Sequence, residues 1–265
     1  MRIGLIIVGD EILSGKREDK HLTKVIDLLG ARGLQLAWSH YIGDDREALT
    51  ELYRRTLASA DIVISCGGIG ATPDDHTRQA AAAALEVPVS LHSEAAVLIS
   101  ERCADMARKG HGSADMSTPE NQQRLKMGEF PTGAQIIPNP FNRIPGFSVR
   151  NHWFVPGFPV MAWPMIEWIL DTYYAAHFHS QPRVERSVIV FEVAESLLTP
   201  LMEDVEQKYP GVHSFSLPSV GDGKDGKPAR RHVELGVRGP EALAVDQAFD
   251  ELHSRVLALG VEVSA

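Results

Sequence analysis

The chain has 265 residues, of which 44% are hydrophobic and 23% charged, and its formal net charge is −9. These values are typical of a soluble globular protein with one large domain or two, and the acidic balance argues against nucleic-acid binding through a broad basic face. Two cysteines imply no disulfide framework, and the sequence has neither a signal peptide nor an apolar stretch near the roughly 20 residues of a membrane span, so we expect a cytoplasmic protein.

Strands and helices alternate at the start of the chain. The apolar patterns predict a strand over residues 2–8, a helix over 19–32, a strand over 34–42, a helix after Asp44 and a strand over 61–65. This alternation predicts a three-layer α/β/α domain around a mostly parallel sheet. Loops after parallel strands meet at one edge of such a sheet, so residues 9–16, 43–45 and 66–75 are expected to share a ligand site.

A glycine-rich loop follows the third predicted strand. Gly67, Gly68 and Gly70 permit positive φ angles and leave no Cβ atom in the way of a ligand. Residues 72–75, Thr-Pro-Asp-Asp, then predict the start of a helix, with the threonine as N-cap and the proline at the first helical position. A strand, a glycine loop and a helix N-terminus together are typical of an anion or phosphate site.

The two acids beside this loop leave its interpretation open. Asp74 and Asp75 would repel a bare phosphate. Either they only complement the helix dipole, or the ligand also brings hydrogen-bond donors or a metal ion. An ordinary capped helix after a tight turn, without any ligand, is the structural alternative.

The second half of the chain predicts further helices and then a smaller domain. Helices are expected over residues 90–108 and 119–126, a short strand at 136–137, the last strand of the sheet at 153–155 and a helix after the turn at 156–159. Residues 177–182 are interpreted as a linker. Beyond it, the order β-α-β-β-α-β predicts a small split β-α-β, α+β domain over residues 183–265, after a first domain over residues 1–178.

The second predicted domain contains the loop of residues 219–230, with the sequence GDGKDGK. An RNA-binding KH module has its glycine loop between two helices, whereas this loop lies between two predicted strands. We therefore expect no nucleic-acid partner and a packing or oligomer-forming role, with a homo-oligomer, most simply a dimer, as the assembly.

Four sequence blocks, at residues 9–15, 67–77, 139–146 and 156–159, resemble those of a known family. The second block is the most specific because it carries the whole pattern GG-x-G-x-T-x-DD-x-T in register. Residues 1–176 resemble the MoaB/Mog-type molybdopterin-binding domain, and most closely the N-terminal module of the CinA (competence/damage-inducible protein A) family. Many members of that family continue into a nicotinamide-nucleotide amidase domain. This chain ends before such a domain, so we do not expect deamidation.

The resemblance implies a small-molecule ligand and two alternative activities. One is binding of molybdopterin; the other is pyrophosphatase activity on nucleotide diphosphates such as ADP-ribose, dependent on Mg²⁺, Mn²⁺ or Co²⁺. The carboxylates it implies in catalysis or in holding pterin amino groups belong to Asp10, Glu11, Asp44 and Asp75, with Asp44 and Asp75 as the metal ligands. The implied ligand-binding residues are Ser14, Gly67, Gly68, Gly70, Thr72, Asp74, Thr77 and Asn139.

Three positions depart from the family pattern. His21 stands where the family usually has Asn, Asn142 where it has Gly, and Met161 where it has an acid. Loss of a catalytic base typically costs a factor of about 10²–10⁴ in rate. The departures therefore favour a binding domain over an active pyrophosphatase, and a third alternative is a regulatory oligomer with a vestigial pocket.

Overall fold

Apolar runs rich in β-branched residues form two inner strands of the first part of the chain, at residues 3–8 and 62–66. In the computed structural model, which describes residues 1–180, 184–221 and 230–264, the chain divides into two compact units, Met1–Phe178 and His179–Ala265. The helices and strands of the first unit are β1 (Ile3–Val8), α1 (Asp10–Leu13), α2 (His21–Gly30), β2 (Leu36–Ile42), α3 (Arg46–Leu57), β3 (Ile62–Cys66), α4 (Thr77–Leu85), β4 (Val89–Leu91), α5 (Ser93–Arg108), α6 (Pro119–Leu125), β5 (Glu129–Pro131), β6 (Gln135–Ile137), β7 (Gly146–Val149), β8 (His152–Val155) and α7 (Pro159–Tyr173).

A six-stranded sheet with the order β2-β1-β3-β8-β7-β6 lies between two helical layers. The strands β2, β1, β3 and β8 run parallel, whereas β7 is antiparallel to both of its neighbours. Alternate residues of β1 pack on opposite faces: Leu5 and Ile7 with α2 and α7, Ile6 and Val8 with α3 and α4. This arrangement confirms the predicted three-layer domain with a mostly parallel sheet.

The predicted start of the helix after the glycine loop was wrong. Helix α4 begins at Thr77, and residues 72–75 form a turn instead. The carboxylate of Asp75 accepts hydrogen bonds from the Thr72 N–H (2.8 Å) and the Thr72 hydroxyl (2.5 Å). The Thr72 hydroxyl is thus a donor to Asp75, whereas an N-cap hydroxyl would accept a backbone N–H.

Three other predicted elements differ in detail. The loop after β1 contains the one-turn helix α1, and the helix expected from residue 90 starts at Ser93, after the short strand β4. Strand β8, the last of the sheet along the chain, lies inside the sheet between β3 and β7 because the proline-rich segment before it supplies two short outer strands.

The second unit is an antiparallel sheet with two helices. Its elements are β9 (Val184–Phe191), α8 (Glu195–Lys208), β10 (His213–Ser219), β11 (His232–Gly239), α9 (Ala242–Ala258) and β12 (Val263–Ser264), and the strand order is β10-β11-β9-β12. This order confirms the split β-α-β prediction. Most of the predicted GDGKDGK loop (222–229) and part of the predicted linker (181–183) lie outside the described residues.

Across the described ranges, no helix is both long and apolar enough to span a bilayer.

Candidate functional site

Three loops leave one edge of the first sheet. Val8, Ile42 and Cys66 end the parallel neighbours β1, β2 and β3, so the loops that follow them start side by side. The Gly9 N–H donates to the Ile42 carbonyl and the Gly67 N–H to the Val155 carbonyl, each at 3.0 Å. The predicted convergence of loops at this edge is therefore present.

An acidic cavity of about 600 Å³ opens at this edge. Its lining residues are Asp10, Glu11, Leu13, Ser14, Lys16, Asp44 and Asp74. Asp10 and Asp44 are held together by a reciprocal pair of hydrogen bonds: the Asp10 N–H donates to Asp44 Oδ2 (2.9 Å) and the Asp44 N–H to Asp10 Oδ1 (3.2 Å). Gly43 is required next to them, since a Cβ atom at that position would collide with Asp10 Oδ1.

The electrostatics of this acidic cavity favour a donor-rich or cationic ligand. Partial burial raises the pKa of Asp44 above its ordinary value, and the charges of Asp10, Glu11 and Asp74 raise it further, although the bond from the Asp10 N–H opposes the shift. A carboxylate held beside other carboxylates is stabilised by any group that brings positive charge or N–H donors.

A second, more apolar cavity of about 410 Å³ shares Glu11 with the acidic cavity. Its other lining residues are Ile7, Val8, Ile12, Arg17, Glu18, Lys20, His21, Cys66, Gly157, Phe158 and Pro159. His21 Nε2 lies 2.9 Å from the Gly157 carbonyl oxygen, so His21 connects α2 to the turn before α7. Burial raises the pKa of the Cys66 thiol, which keeps it protonated and unreactive.

The glycine loop is shaped by packing as well as by any ligand. Gly67 and Gly68 have φ angles of +110° and +67°. A Cβ atom on Gly67 would collide with the Val8 carbonyl oxygen, and one on Gly68 with the Thr77 hydroxyl. At Gly70 the neighbour is the Asp75 carboxylate. Part of the glycine signal in the sequence therefore reflects close packing of the loop against β1 and α4.

The predicted site residues fall into two groups. Asp10, Glu11, Ser14, Asp44 and Asp74 line the acidic cavity. The other predicted residues do not line this cavity: Gly67, Gly68, Gly70, Thr72, Asp75, Thr77 and Asn139. Of these, Thr72 and Asp75 are hydrogen-bonded to each other, and Thr77 is fully buried.

Asn139 is buried and its amide is already used within a turn. Its Nδ2 atom donates to Asn142 Oδ1 and to the Ile144 carbonyl, both at 2.9 Å, and its Oδ1 atom accepts from the Phe141 N–H at 3.0 Å. This geometry makes Asn139 a structural residue of the turn; its implied contact with a ligand stays a prediction.

The residue that the sequence analysis missed is Arg78. Its side chain is 2% exposed, and one guanidinium nitrogen, Nη2, donates to the Gly70 carbonyl. Burial lowers its pKa, opposed by the charges of Asp75 and Glu129. The sequence feature that could have indicated Arg78 is its place near the N-terminus of an alanine-rich helix, where a buried arginine is unusual.

Two of the departures from the family pattern contact each other. Asn142 Nδ2 lies 3.2 Å from the Met161 sulfur, so an amide and a thioether occupy the corner where the family usually has an acid. Within residues 1–180, 184–221 and 230–264, no three His, Cys, Asp or Glu side chains come close enough together to hold a metal ion. These ranges therefore contain no metal cage built from three such side chains.

Comparison with known proteins places these features in a family. Residues 4–176 match the family described as "Probable molybdopterin binding domain". The chain belongs to this family. The resemblance stated from its motifs is thus confirmed for the first unit.

Similar proteins extend over most of the chain. A CinA-like protein of Anaeromyxobacter sp. (strain Fw109-5) is 32% identical over 278 residues, which cover 97% of this chain and 64% of that protein. A protein of Pyrobaculum calidifontis is 28% identical, over 94% of this chain and 93% of its own length. The crystal structure of the protein CinA, of unknown function, from Thermoplasma acidophilum aligns with a TM-score of 0.54 at 25% identity, over 65% of this chain and 98% of that one.

Proposed function

We propose that the first unit binds a phosphorylated pterin of the molybdopterin class, with the pterin ring in the acidic cavity. The observation that carries this proposal is the reciprocal pairing of Asp10 and Asp44. A pterin presents an amino group next to a ring N–H, and these adjacent donors match adjacent carboxylate oxygens. Charge-assisted hydrogen bonds of this kind contribute about 1.5–3 kcal/mol each.

The glycine loop supplies donors for the phosphate end of the ligand. Among the described residues, the backbone N–H groups of Gly68, Ile69, Gly70 and Ala71 have no hydrogen-bond partner. Backbone N–H groups in a loop with positive φ angles form concave sites for anions. A phosphate monoester at this loop would supply the acceptors that these groups lack.

Binding without turnover is favoured over the pyrophosphatase activity that the family resemblance implies. Hydrolysis of ADP-ribose requires a bound divalent metal or a base beside the diphosphate. The Asn142–Met161 contact supplies neither. The homo-oligomer, with a dimer favoured, remains a prediction that light scattering tests directly.

Two assays on the intact chain test this proposal. Neopterin monophosphate should raise the melting temperature, and ADP-ribose with Mg²⁺, Mn²⁺ or Co²⁺ should release no AMP. If AMP is released in a metal-dependent reaction, the protein is a pyrophosphatase and the proposal of binding without turnover is wrong. If the pterin gives no stabilisation and ADP-ribose is not hydrolysed, a regulatory oligomer with a vestigial pocket is favoured.

A further inference from the structure

The first two residues of α4 hold three carbonyl groups of the glycine loop. The Thr77 hydroxyl donates to the Gly67 carbonyl (3.0 Å), and the Thr77 N–H donates to the Gly68 carbonyl (3.1 Å). Arg78 Nη2 donates to the Gly70 carbonyl. Helix α4 therefore fixes, from one side, the three peptide planes of the loop to which these carbonyl groups belong.

The orientation of these carbonyls determines where the loop N–H groups point. In a trans peptide the C=O and N–H bonds point in opposite directions. With the carbonyls of Gly67, Gly68 and Gly70 turned towards α4, the N–H groups of Gly68, Ile69 and Ala71 are turned away from it. In the described part of the chain none of these three N–H groups has a hydrogen-bond partner.

Burial of the Arg78 side chain in its present surroundings lowers the stability of the folded state. Its Nε and Nη1 atoms are buried without a hydrogen-bond partner within the described ranges. Charge from Asp75 and Glu129 only partly compensates for the burial of the guanidinium. Replacing buried charged groups by well-packed apolar residues is often neutral or stabilising. Stability of the fold therefore does not account for an arginine at this position.

We infer that Arg78 is the positioning residue of the phosphate site: its bond to the Gly70 carbonyl turns the Ala71 N–H outward, and its buried charge lies behind the loop that receives the phosphate. This inference rests on the proposed function and adds the residue through which the loop selects a phosphate ester. A buried cation interacts strongly with an anion because the surrounding dielectric is low. Arg78 itself need not touch the ligand.

The test is a calorimetric titration of the intact chain with neopterin monophosphate and with neopterin. In Arg78→Met, which lacks both donor and charge, the affinity for the monophosphate should fall at least tenfold while the affinity for neopterin stays within twofold. Arg78→Lys, which keeps a donor and a charge, should recover most of the loss. Arg54→Met controls for the loss of one positive charge, since Arg54 is exposed on α3 and pairs with Glu51.

The outcomes separate the inference from the proposed function. If wild type binds neither compound, the proposed function fails. The inference fails, and the pterin cavity stands, if wild type binds both compounds with equal affinity. It also fails if Arg78→Met lowers the affinity for both compounds to the same degree, or for neither.

A measurement on wild type decides the case in which Arg78→Met does not fold. Neopterin monophosphate, compared with neopterin, should shift the amide ¹H–¹⁵N resonances of Gly68, Ile69 and Ala71. Unchanged resonances at these three residues would overturn the inference.

Discussion

At the residue scale, Asp44 is a side chain whose charge opposes folding. An acid with a raised pKa penalises the folded state above its ordinary pKa, near 3.9, and the penalty disappears as the pH falls below that value. Asp44→Asn should therefore raise the melting temperature at pH 7, and the gain should vanish near pH 3. Substitutions outside a core usually change stability by about 0.5 kcal/mol or less, which corresponds to roughly 1–2 °C here.

The neighbouring acid provides a matched control. Asp45 caps α3 by accepting the Ala48 N–H at 2.7 Å, and Asn caps a helix about as well as Asp. Asp45→Asn should leave the melting temperature unchanged at both pH values in scanning calorimetry. A lower melting temperature for Asp44→Asn at pH 7 would show that its carboxylate stabilises the fold.

His152 gives a second prediction at this scale. Burial lowers its pKa to about 4, with a smaller contribution from Arg150, and Nε2 lies 2.9 Å from the Thr56 hydroxyl. Because the unfolded imidazole binds a proton near pH 6.5 and the folded one does not, stability is lost as the pH falls from 6.5 towards 4, by about 3 kcal/mol. Urea titrations at pH 7 and pH 4 should show that His152→Gln removes this part of the pH dependence. The same pH dependence in both proteins would contradict the assignment.

At the element scale, the start of α4 determines the shape of the glycine loop. Thr77 is fully buried and its hydroxyl bonds the Gly67 carbonyl, so Thr77→Val leaves a buried acceptor without its donor. We expect a loss of about 1–3 kcal/mol in the free energy of unfolding measured with urea. Thr50→Val is the control, because the Thr50 hydroxyl only bonds the Arg46 carbonyl within α3. Equal losses in the two variants would contradict a structural role for the Thr77 hydroxyl.

The same loop marks the limit of prediction from the sequence. Buried apolar runs predicted the strands, and parallel topology predicted the edge at which Asp10 and Asp44 meet, because both follow from periodicity. The helix start at Thr72 was wrong because the Thr72 hydroxyl donates to the Asp75 carboxylate, whereas an N-cap hydroxyl accepts a backbone N–H. Helix α4 begins only at Thr77, whose N–H bonds the Gly68 carbonyl, and propensities do not resolve such contacts. The role of Arg78 depends on a contact across eight residues of irregular chain, for which no spacing rule exists.

At the scale of the whole molecule, each unit contains its own hydrophobic core. The first unit has two buried clusters, one on each face of its sheet, and the second has a separate cluster between its sheet and helices. We propose that residues 1–178 form an independent domain. Expressed alone, this fragment should unfold cooperatively and bind neopterin monophosphate with the affinity of the intact chain. A fragment without a cooperative transition in calorimetry would contradict the boundary.

The central claim is that the paired carboxylates of the acidic cavity recognise the pterin ring. Calorimetric titration of wild type, Asp44→Asn and Asp45→Asn with neopterin tests it most directly, since this compound lacks the phosphate. We predict that Asp44→Asn lowers the affinity at least tenfold, because a charge-assisted bond of about 1.5–3 kcal/mol is lost, whereas Asp45→Asn matches wild type. Equal affinities for wild type and Asp44→Asn would contradict the account.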